Sequence, residues 1–221
     1  MKKPKLLVFD VNETLLDLEK IKVKIQDKFN DETSYSLWFT TLLQYSMVES
    51  ITNQYHNFGE IGKATLKMTA EKLEKNISED EINEILALIT QLPPHPDVKA
   101  ALKKFQIQNY SIIALTNGSL EAVKTQMSYA GIEEYFERFY SVEQVKSFKP
   151  QAVTYQYVLN EMKMVAKDSM MIAAHPWDLA GAKTIGMQTA FIERPSQIYY
   201  PLLEKADFMV KDLEELANCL E

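Results

Sequence analysis

The chain has 221 residues, 46% hydrophobic and 25% charged, which predicts one or two globular domains long enough to bury a core. Its formal net charge of −7 and the lack of a basic tract argue against nucleic-acid binding, because phosphate groups are bound by clustered Lys and Arg. One cysteine excludes an internal disulfide, and no apolar stretch is long enough for a signal peptide or transmembrane helix, so we expect a cytoplasmic protein without membrane contact.

Short apolar runs separated by helical patterns continue along most of the chain. The first run covers residues 6–9 and ends at Asp10. Similar runs cover residues 111–115, 170–174, 189–192 and 208–210. Near-continuous apolar runs are typical of parallel strands that are buried on both faces. Their alternation with helices predicts an α/β fold, a Rossmann-like parallel sheet with helices on both sides.

A block of purely helical patterns interrupts this alternation after the first strand. Within it, Ser78 and Glu81 form a capping-box signature that predicts the start of a helix. Three prolines between Leu92 and Asp97 exclude a helix and mark the return to the sheet. We therefore predict a core formed by residues 1–16 and 94–221, with an inserted helical cap formed by residues 17–93.

Four polar side chains lie where predicted strands end or in the loops that follow. Asp10 can act as a nucleophile that forms a covalent intermediate. Thr116 supplies a hydroxyl, Lys149 a cation that can offset a buried carboxylate, and Asp178 a second acid. Each residue alone also has a simpler interpretation as a turn, a helix cap or a surface charge. Their common position at the carboxyl edge of a parallel sheet, where ligands bind, favours a reaction site.

Four segments resemble the motifs of the haloacid dehalogenase superfamily, and the resemblance covers nearly the whole chain. The segments are FDVNETLLD at residues 9–17, TNGS at 116–119, FKP at 148–150 and AAHPWDLAGA at 173–182. The resemblance implies Asp10 as nucleophile, Thr116 as the second-motif hydroxyl, Lys149 as the cation and Asp178 as the fourth-motif acid. The helical insertion is similar to the small cap of this superfamily.

Most members of this superfamily are magnesium-dependent phosphatases, and two features of the chain depart from them. Asn12 stands where those enzymes carry an acid that protonates the leaving group, and an amide cannot act as a general acid. Ala173 and Ala174 stand where an acidic residue is usual. A Mg²⁺ ion held by Asp10 and Asp178, in a phosphatase acting on a small phosphate ester, is the alternative interpretation.

The chain is more similar to the type II 2-haloacid dehalogenases, which use no metal and no other cofactor. The similarity extends into the cap and implies metal-independent hydrolysis of a short 2-haloacid through an aspartyl ester on Asp10. It implies Thr14, Asn117 and Tyr155, together with Asn12, as substrate-binding residues. A homodimer is a further implication of the resemblance, and the partner is otherwise a small-molecule substrate.

The chain also departs from these dehalogenases around the halide. Phe39 stands where they carry a halide-binding arginine, and neither Arg138 nor Arg194 lies in the predicted cap. Ala173 and His175 replace a serine and an asparagine of the fourth motif. His175 is either a packed structural ring or a participant in the reaction, as a water-activating base or a halide contact.

Three hypotheses follow from these patterns. Metal-independent dehalogenation is favoured, and a phosphatase is the alternative. A catalytically silent binding protein is disfavoured, because Asp10, Lys149 and Asp178 are all present.

Overall fold

The computed structural model describes residues 3–221, and within them six strands form one parallel sheet. The strands are β1 (Leu6–Phe9), β2 (Ser111–Thr116), β3 (Arg138–Ser141), β4 (Ser169–Ala173), β5 (Gln188–Ile192) and β6 (Phe208–Val210). Their order in the sheet is β3-β2-β1-β4-β5-β6, and every neighbouring pair is parallel. This arrangement confirms the predicted α/β class. It also places β1 in the interior of the sheet.

Five strands coincide with the predicted apolar runs to within one or two residues, whereas β3 was not predicted. β3 lies at an edge of the sheet and has one neighbouring strand, β2. Its first residue, Arg138, is exposed, and Phe139 is half-buried. An edge strand that is partly open to solvent needs no continuous apolar run, so it lacks the pattern by which the other strands are recognised.

Four α-helices lie within residues 17–93, between β1 and the prolines that precede Asp97. They are α1 (Glu19–Phe29), α2 (Ser34–Thr52), α3 (Phe58–Lys72) and α4 (Glu79–Ala87). The predicted capping box at Ser78 and Glu81 begins α4, and a second one at Asn57 and Glu60 begins α3. We propose that these helices form the cap whose limits were predicted as residues 17–93.

Five further α-helices lie outside the helical block, in the part of the chain that forms the sheet. They are α5 (Val98–Ile107), α6 (Leu120–Ala130), α7 (Ala152–Glu161), α8 (Pro176–Thr184) and α9 (Leu213–Cys219). Ser119 caps α6 by accepting a hydrogen bond from the amide of Ala122, and Gly131 ends the helix at a φ of 62°. A positive φ of this size favours glycine, which explains the position of Gly131. Within residues 3–221 no helix combines the length and the apolar character needed to cross a bilayer.

The helical block touches the core beside the carboxyl edge of the sheet. The amide of Phe148 donates to the hydroxyl of Ser50 over 2.8 Å, and the Phe148 ring stacks on Tyr55 with centroids 5.3 Å apart. Gln126 of α6 donates to the carbonyl of Ile89 over 2.8 Å. Because Phe148 directly precedes Lys149, these contacts connect the position of the cap to the loop that carries the predicted cation.

A close approach between α8 and the loop before α7 requires glycine at position 181. A Cβ atom at Gly181 would lie 2.5 Å from the carbonyl oxygen of Pro150 and 2.7 Å from the Tyr155 ring. We expect Gly181→Ala to lower the free energy of unfolding by about 1–3 kcal/mol, the usual effect of overpacking. Chemical denaturation of the purified variant measures this loss.

The matched control is Gly62→Ala, another buried glycine inside a helix. A Cβ there would meet its nearest neighbours at 3.9 Å, an ordinary contact distance. Equal stabilities of the two variants would contradict the close approach of Gly181 to Pro150.

Candidate active site

Asp10 directly follows β1, and both of its carboxylate oxygens are held by donors. Oδ1 accepts a hydrogen bond from Nζ of Lys149 at 2.8 Å. Oδ2 accepts from the hydroxyl of Thr14 at 2.7 Å and lies 3.0 Å from Nδ1 of His175. Because all four residues of β1 are buried, Asp10 is only 6% exposed. The carboxylate is therefore fixed in orientation and largely shielded from water.

Lys149 lies between two buried carboxylates. Its Nζ is 2.8 Å from Asp10 and 2.6 Å from Oδ2 of Asp178, and it also donates to the carbonyl of Leu115 at 3.1 Å. The other oxygen of Asp178 accepts the hydroxyl of Tyr155 at 2.5 Å. All three ammonium protons are thus used, and the two carboxylates are bridged by one cation.

Electrostatics in this cluster keep Asp10 ionised. Burial raises the pKa of Asp10, but Lys149 and His175 outweigh burial and hold that pKa well below its ordinary value. Burial lowers the pKa of Lys149, whereas the two carboxylates raise it, and the net pKa lies above the ordinary one. Burial raises the pKa of Asp178, and the nearby charge of Asp10 adds to this effect. At neutral pH the site therefore presents an ionised carboxylate beside an ammonium ion.

His175 bridges Asp10 and Glu13 through its two ring nitrogens. Nδ1 lies 3.0 Å from Asp10, and Nε2 lies 2.8 Å from Oε2 of Glu13. Burial lowers the pKa of His175, but the hydrogen bonds and charges of the two carboxylates raise it to about 9. The imidazole is therefore protonated at neutral pH and donates from both nitrogens. Trp177 stacks on this ring with centroids 5.1 Å apart.

The sequence analysis did not select Glu13, although it lies in the loop directly after Asp10. Besides His175, its carboxylate accepts the hydroxyl of Tyr35 at 2.9 Å and the amide of Gln197 at 3.0 Å. Glu13 has a φ of 62°, a left-handed conformation that is uncommon for a residue with a side chain. The sequence signal that could have identified Glu13 is an acidic residue three positions after Asp10. The direction in which the Glu13 side chain points depends on the left-handed backbone conformation. The sequence pattern did not indicate that conformation.

Of the other predicted site residues, Thr14 is hydrogen-bonded directly to Asp10. Its hydroxyl donates to Asp10 and accepts the amide of Ala174 at 2.9 Å, so it ties the loop after β1 to the end of β4. Tyr155, predicted to bind substrate, is 1% exposed and contacts Asp178 instead. This burial favours a role in positioning Asp178.

The two residues predicted from the second motif lie in the loop after β2. The hydroxyl of Thr116 accepts the amide of Gly118 at 3.0 Å and keeps its own proton available for donation. Oδ1 of Asn117 accepts the amide of Lys149 at 3.0 Å. Nδ2 of Asn117 makes no hydrogen bond to any other of residues 3–221, so it can serve a ligand.

Asn12 and Phe39 also lie beside this cluster, without contacting Asp10 directly. Oδ1 of Asn12 accepts the amide of Gln126 at 2.9 Å. The ring of Phe39 is stacked on Tyr35, 5.8 Å between centroids, and lies 6.2 Å from the ring of His175. The cationic imidazole therefore lies next to the position where the resembling dehalogenases carry arginine.

Neither arginine of the chain replaces the missing guanidinium. Arg194 makes a bidentate pair with Asp97 at 2.9 and 3.0 Å and donates to the carbonyl of Thr14 at 3.1 Å. Arg138 is exposed on the edge strand β3. Among residues 3–221, Lys149 and His175 are the cations that contact Asp10.

The donor set does not fit a magnesium ion. The carboxylate oxygens of Asp10 and Asp178 already accept hydrogen bonds from Lys149, Thr14 and Tyr155. Among residues 3–221 no group of three or more His, Cys, Asp or Glu side chains is arranged to hold a metal ion. A divalent cation here would have to share both carboxylates with the ammonium ion that is already paired with them.

Residues 7–192 match the family model of the haloacid dehalogenase-like hydrolases. The chain belongs to this family. The match confirms the resemblance of the four motifs and makes this protein a hydrolase.

The hydrolase is similar to several named relatives over nearly its whole length. (S)-2-haloacid dehalogenase 2 of Pseudomonas sp. strain CBS-3 is 26% identical, and the match covers 97% of this chain and 94% of the relative. Haloacetate dehalogenase H-2 of Moraxella sp. strain B is 24% identical, with 100% and 99% covered. The solved structure of L-2-haloacid dehalogenase from Xanthobacter autotrophicus, with chloropropionic acid covalently bound, has a TM-score of 0.91 at 20% identity, with 98% of each chain covered. This last likeness establishes the shared fold.

The raised pKa of His175 makes the stability of the hydrolase depend on pH. Its pKa is about 9 in the folded protein against an ordinary value of 6.5. The protonated imidazole therefore stabilises the fold fully below pH 6.5, and this contribution is lost as pH rises to about 9. We expect a loss on the order of 3 kcal/mol over this interval.

Urea unfolding at several pH values, in the native protein and in His175→Gln, measures this loss. The variant should lack this decrease in stability. Parallel curves for the two proteins between neutral and alkaline pH would contradict a protonated His175.

Proposed function

We propose that the hydrolase displaces halide from a 2-haloacid without a metal ion, with Asp10 as the nucleophile. The observation that carries the proposal is the Lys149 ammonium between Asp10 and Asp178. It supplies, inside the protein, the positive charge that an ionised nucleophile needs when it is buried. The names of the relatives, 2-haloacid and haloacetate dehalogenases, agree with this chemistry.

The first step is an in-line displacement at C2 of the substrate. A carboxylate oxygen of Asp10 forms a bond to C2, and the carbon–halogen bond breaks with its electron pair leaving on the halide. A halide ion needs no proton to leave. The displacement therefore needs no general acid at position 12, where phosphatases carry one. Asn12 stands at this position, and its Oδ1 is bound to Gln126.

The second step is hydrolysis of the ester at the carboxyl carbon of Asp10. Esterification removes the negative charge of Asp10, so it also removes one of the two carboxylates that raise the pKa of His175. The imidazole can then release its Nδ1 proton while Glu13 keeps the proton on Nε2. Neutral His175 accepts a proton from the attacking water and returns it to the leaving alkoxide, and the regenerated carboxyl group of Asp10 then gives its proton to His175.

The overall reaction balances with one proton released. A haloacid and water give a 2-hydroxyacid, a halide ion and a proton, and Asp10 and His175 return to their initial charges. Both nitrogens of His175 are bonded to carboxylates in the free hydrolase. This arrangement favours the base over the direct halide contact as the function of His175.

Polar groups around the second motif are suited to hold the anionic parts of the substrate. Nδ2 of Asn117 and the hydroxyl of Thr116 each have a proton free to donate. The amides of Gly118 and Ala122 are already used by Thr116 and Ser119. We therefore assign the substrate carboxylate to the Thr116 and Asn117 side chains, with Lys149 and His175 supplying the surrounding positive charge.

The decisive experiment is a paired screen of the purified hydrolase. Halide release from chloro-, bromo- and fluoroacids is measured beside phosphate release from p-nitrophenyl phosphate, each with magnesium and with a chelator. We expect halide release that the chelator does not change. Phosphate release that requires magnesium, without halide release from any acid, would refute the proposal.

Asp10→Asn is the matched active-site variant for this screen. An amide is a much weaker nucleophile, so we expect turnover to fall at least about a thousandfold, equivalent to about 4 kcal/mol in the barrier. The similar shape of asparagine should preserve the fold, and circular dichroism checks this. A rate close to that of the native protein would exclude Asp10 as the nucleophile.

Phe39→Arg tests the altered halide site. An aromatic edge contacts a halide much more weakly than a guanidinium does, so we expect the native hydrolase to be slow on chloroacids. The arginine should raise kcat on 2-chloropropionate relative to 2-bromopropionate, because chloride is the poorer leaving group. Phe39→Leu serves as the control for loss of the ring. Equal chloride-to-bromide ratios in all three proteins would contradict a halide position beside residue 39.

A further inference from the structure

The positive charges of the proposed active site are already matched by carboxylates of the protein. Nζ of Lys149 lies 2.8 Å from Asp10 and 2.6 Å from Asp178. The ring nitrogens of His175 lie 3.0 Å from Asp10 and 2.8 Å from Glu13, so two cations face three carboxylates. Burial raises the pKa of Asp178, and if Asp178 is left out of the count, cations and carboxylates are equal in number. In neither count does positive charge remain for the substrate.

The hydrogen-bond donors of the two cations are used as well. The ammonium group of Lys149 gives its three protons to Asp10, Asp178 and the carbonyl of Leu115. Both ring nitrogens of His175 are bonded to carboxylates. A substrate carboxylate can therefore gain a charge-assisted hydrogen bond from either cation only if an existing one is broken.

The cations that lie farther from the cluster also have partners. Arg194 and Lys22 line a surface depression on which Glu13 also borders. Arg194 is paired with Asp97 at 2.9 Å, and Lys22 is paired with Glu19 at 2.9 Å. Neither of them is free to accompany an anion into the site.

The donors that remain free beside the reaction centre are uncharged. Nδ2 of Asn117 and the hydroxyl of Thr116 each keep a proton for a ligand. A cavity of about 170 Å³ between the cap and the core, which Gly62 helps to line, has no charged residue in its walls. Burying a carboxylate is costly when no cation accompanies it, whereas a carbonyl oxygen accepts the same two hydrogen bonds without a net charge.

We infer that the hydrolase also dehalogenates uncharged 2-haloamides, and that it does so with a higher kcat/KM than the corresponding 2-haloacids. This inference rests on the proposed displacement by Asp10 and extends it to a second substrate class. Thr116 and Asn117 donate to the carbonyl oxygen of the amide. The N–H groups of the amide are donors, which suits a site where carboxylates are not outnumbered by cations.

The reaction balances as it does for the acid. A carboxylate oxygen of Asp10 bonds to C2 of the amide, and the halide leaves with the electron pair of the broken bond. Water then hydrolyses the ester at the carboxyl carbon of Asp10. The products are a 2-hydroxyamide, a halide ion and one proton, and the amide bond stays intact.

The first test compares kcat/KM for bromide release from 2-bromopropionamide and 2-bromopropionate. The rates of both compounds with free acetate ion correct for their intrinsic reactivities. We then expect the amide to be favoured at least about tenfold, because a buried charged group without its partner costs at least that much. The amide should give 2-hydroxypropionamide without ammonia, and Asp10→Asn should lose bromide release from both compounds. An acid that is favoured after the correction would overturn the inference.

Phe39→Arg adds a cation to the same site, next to the ring of His175. We expect the ratio of kcat/KM for the acid to that for the amide to rise about tenfold, as a hydrogen bond to a charged group is stronger than a neutral one. Phe39→Gln donates hydrogen bonds without a charge and should keep the native ratio. Both substrates are measured on the same protein, so a loss of folded protein affects them equally. Equal ratios in the two variants would contradict the inference.

A binding measurement separates this inference from the proposed function. Propionamide and propionate carry no halogen, and sodium chloride keeps the ionic strength equal. Propionamide should raise the melting temperature of the native protein more than propionate does. If no compound releases halide but propionamide still stabilises more, the dehalogenase proposal fails and the preference for an uncharged ligand stands. If the acid releases bromide and the amide does not, the proposed function stands and this inference fails.

Discussion

The site depends on burying two carboxylates, Asp10 and Asp178, on either side of the Lys149 ammonium. A buried charge without a partner is strongly destabilising, and here one cation is paired with both acids and is itself fully hydrogen-bonded. Two neighbouring contacts hold this cation in place. The backbone amide of Lys149 is bound to Asn117 in the loop after β2, and that of Phe148 is bound to Ser50 in the cap. As a result, the Asp10 carboxylate is both ionised and buried.

A second chain of contacts connects Asp10 to the cap. Asp10 is bound to His175, His175 to Glu13, and Glu13 to Tyr35 of α2. Phe39 lies one helical turn after Tyr35 and packs beside the imidazole. Through Tyr35 and Phe39, α2 thus contributes to the environment of the His175 imidazole, whose pKa the two carboxylates raise.

The predicted and observed folds agree where the physical signal is local. β1, β2, β4 and β5 are apolar along their length because both faces are buried, and the capping box of α4 is a pattern of two residues three positions apart. β3 was not predicted, because an edge strand that is partly exposed needs no continuous apolar run. Around Asp10 the sequence led correctly to Lys149 as a nearby cation, but it did not select Glu13.

By itself, the sequence determined the α/β class and the membership of a hydrolase family, because its apolar runs alternate with helices and its motifs lie at strand ends, which meet at one edge of a parallel sheet. Only the tertiary structure decided which groups touch. The left-handed backbone of Glu13 turns its carboxylate toward His175, and the burial of Tyr155 directs its hydroxyl to Asp178. The space beside Gly62 likewise appears only when α2, α3 and α4 are packed, because a cavity belongs to the helices that surround it and not to any one segment.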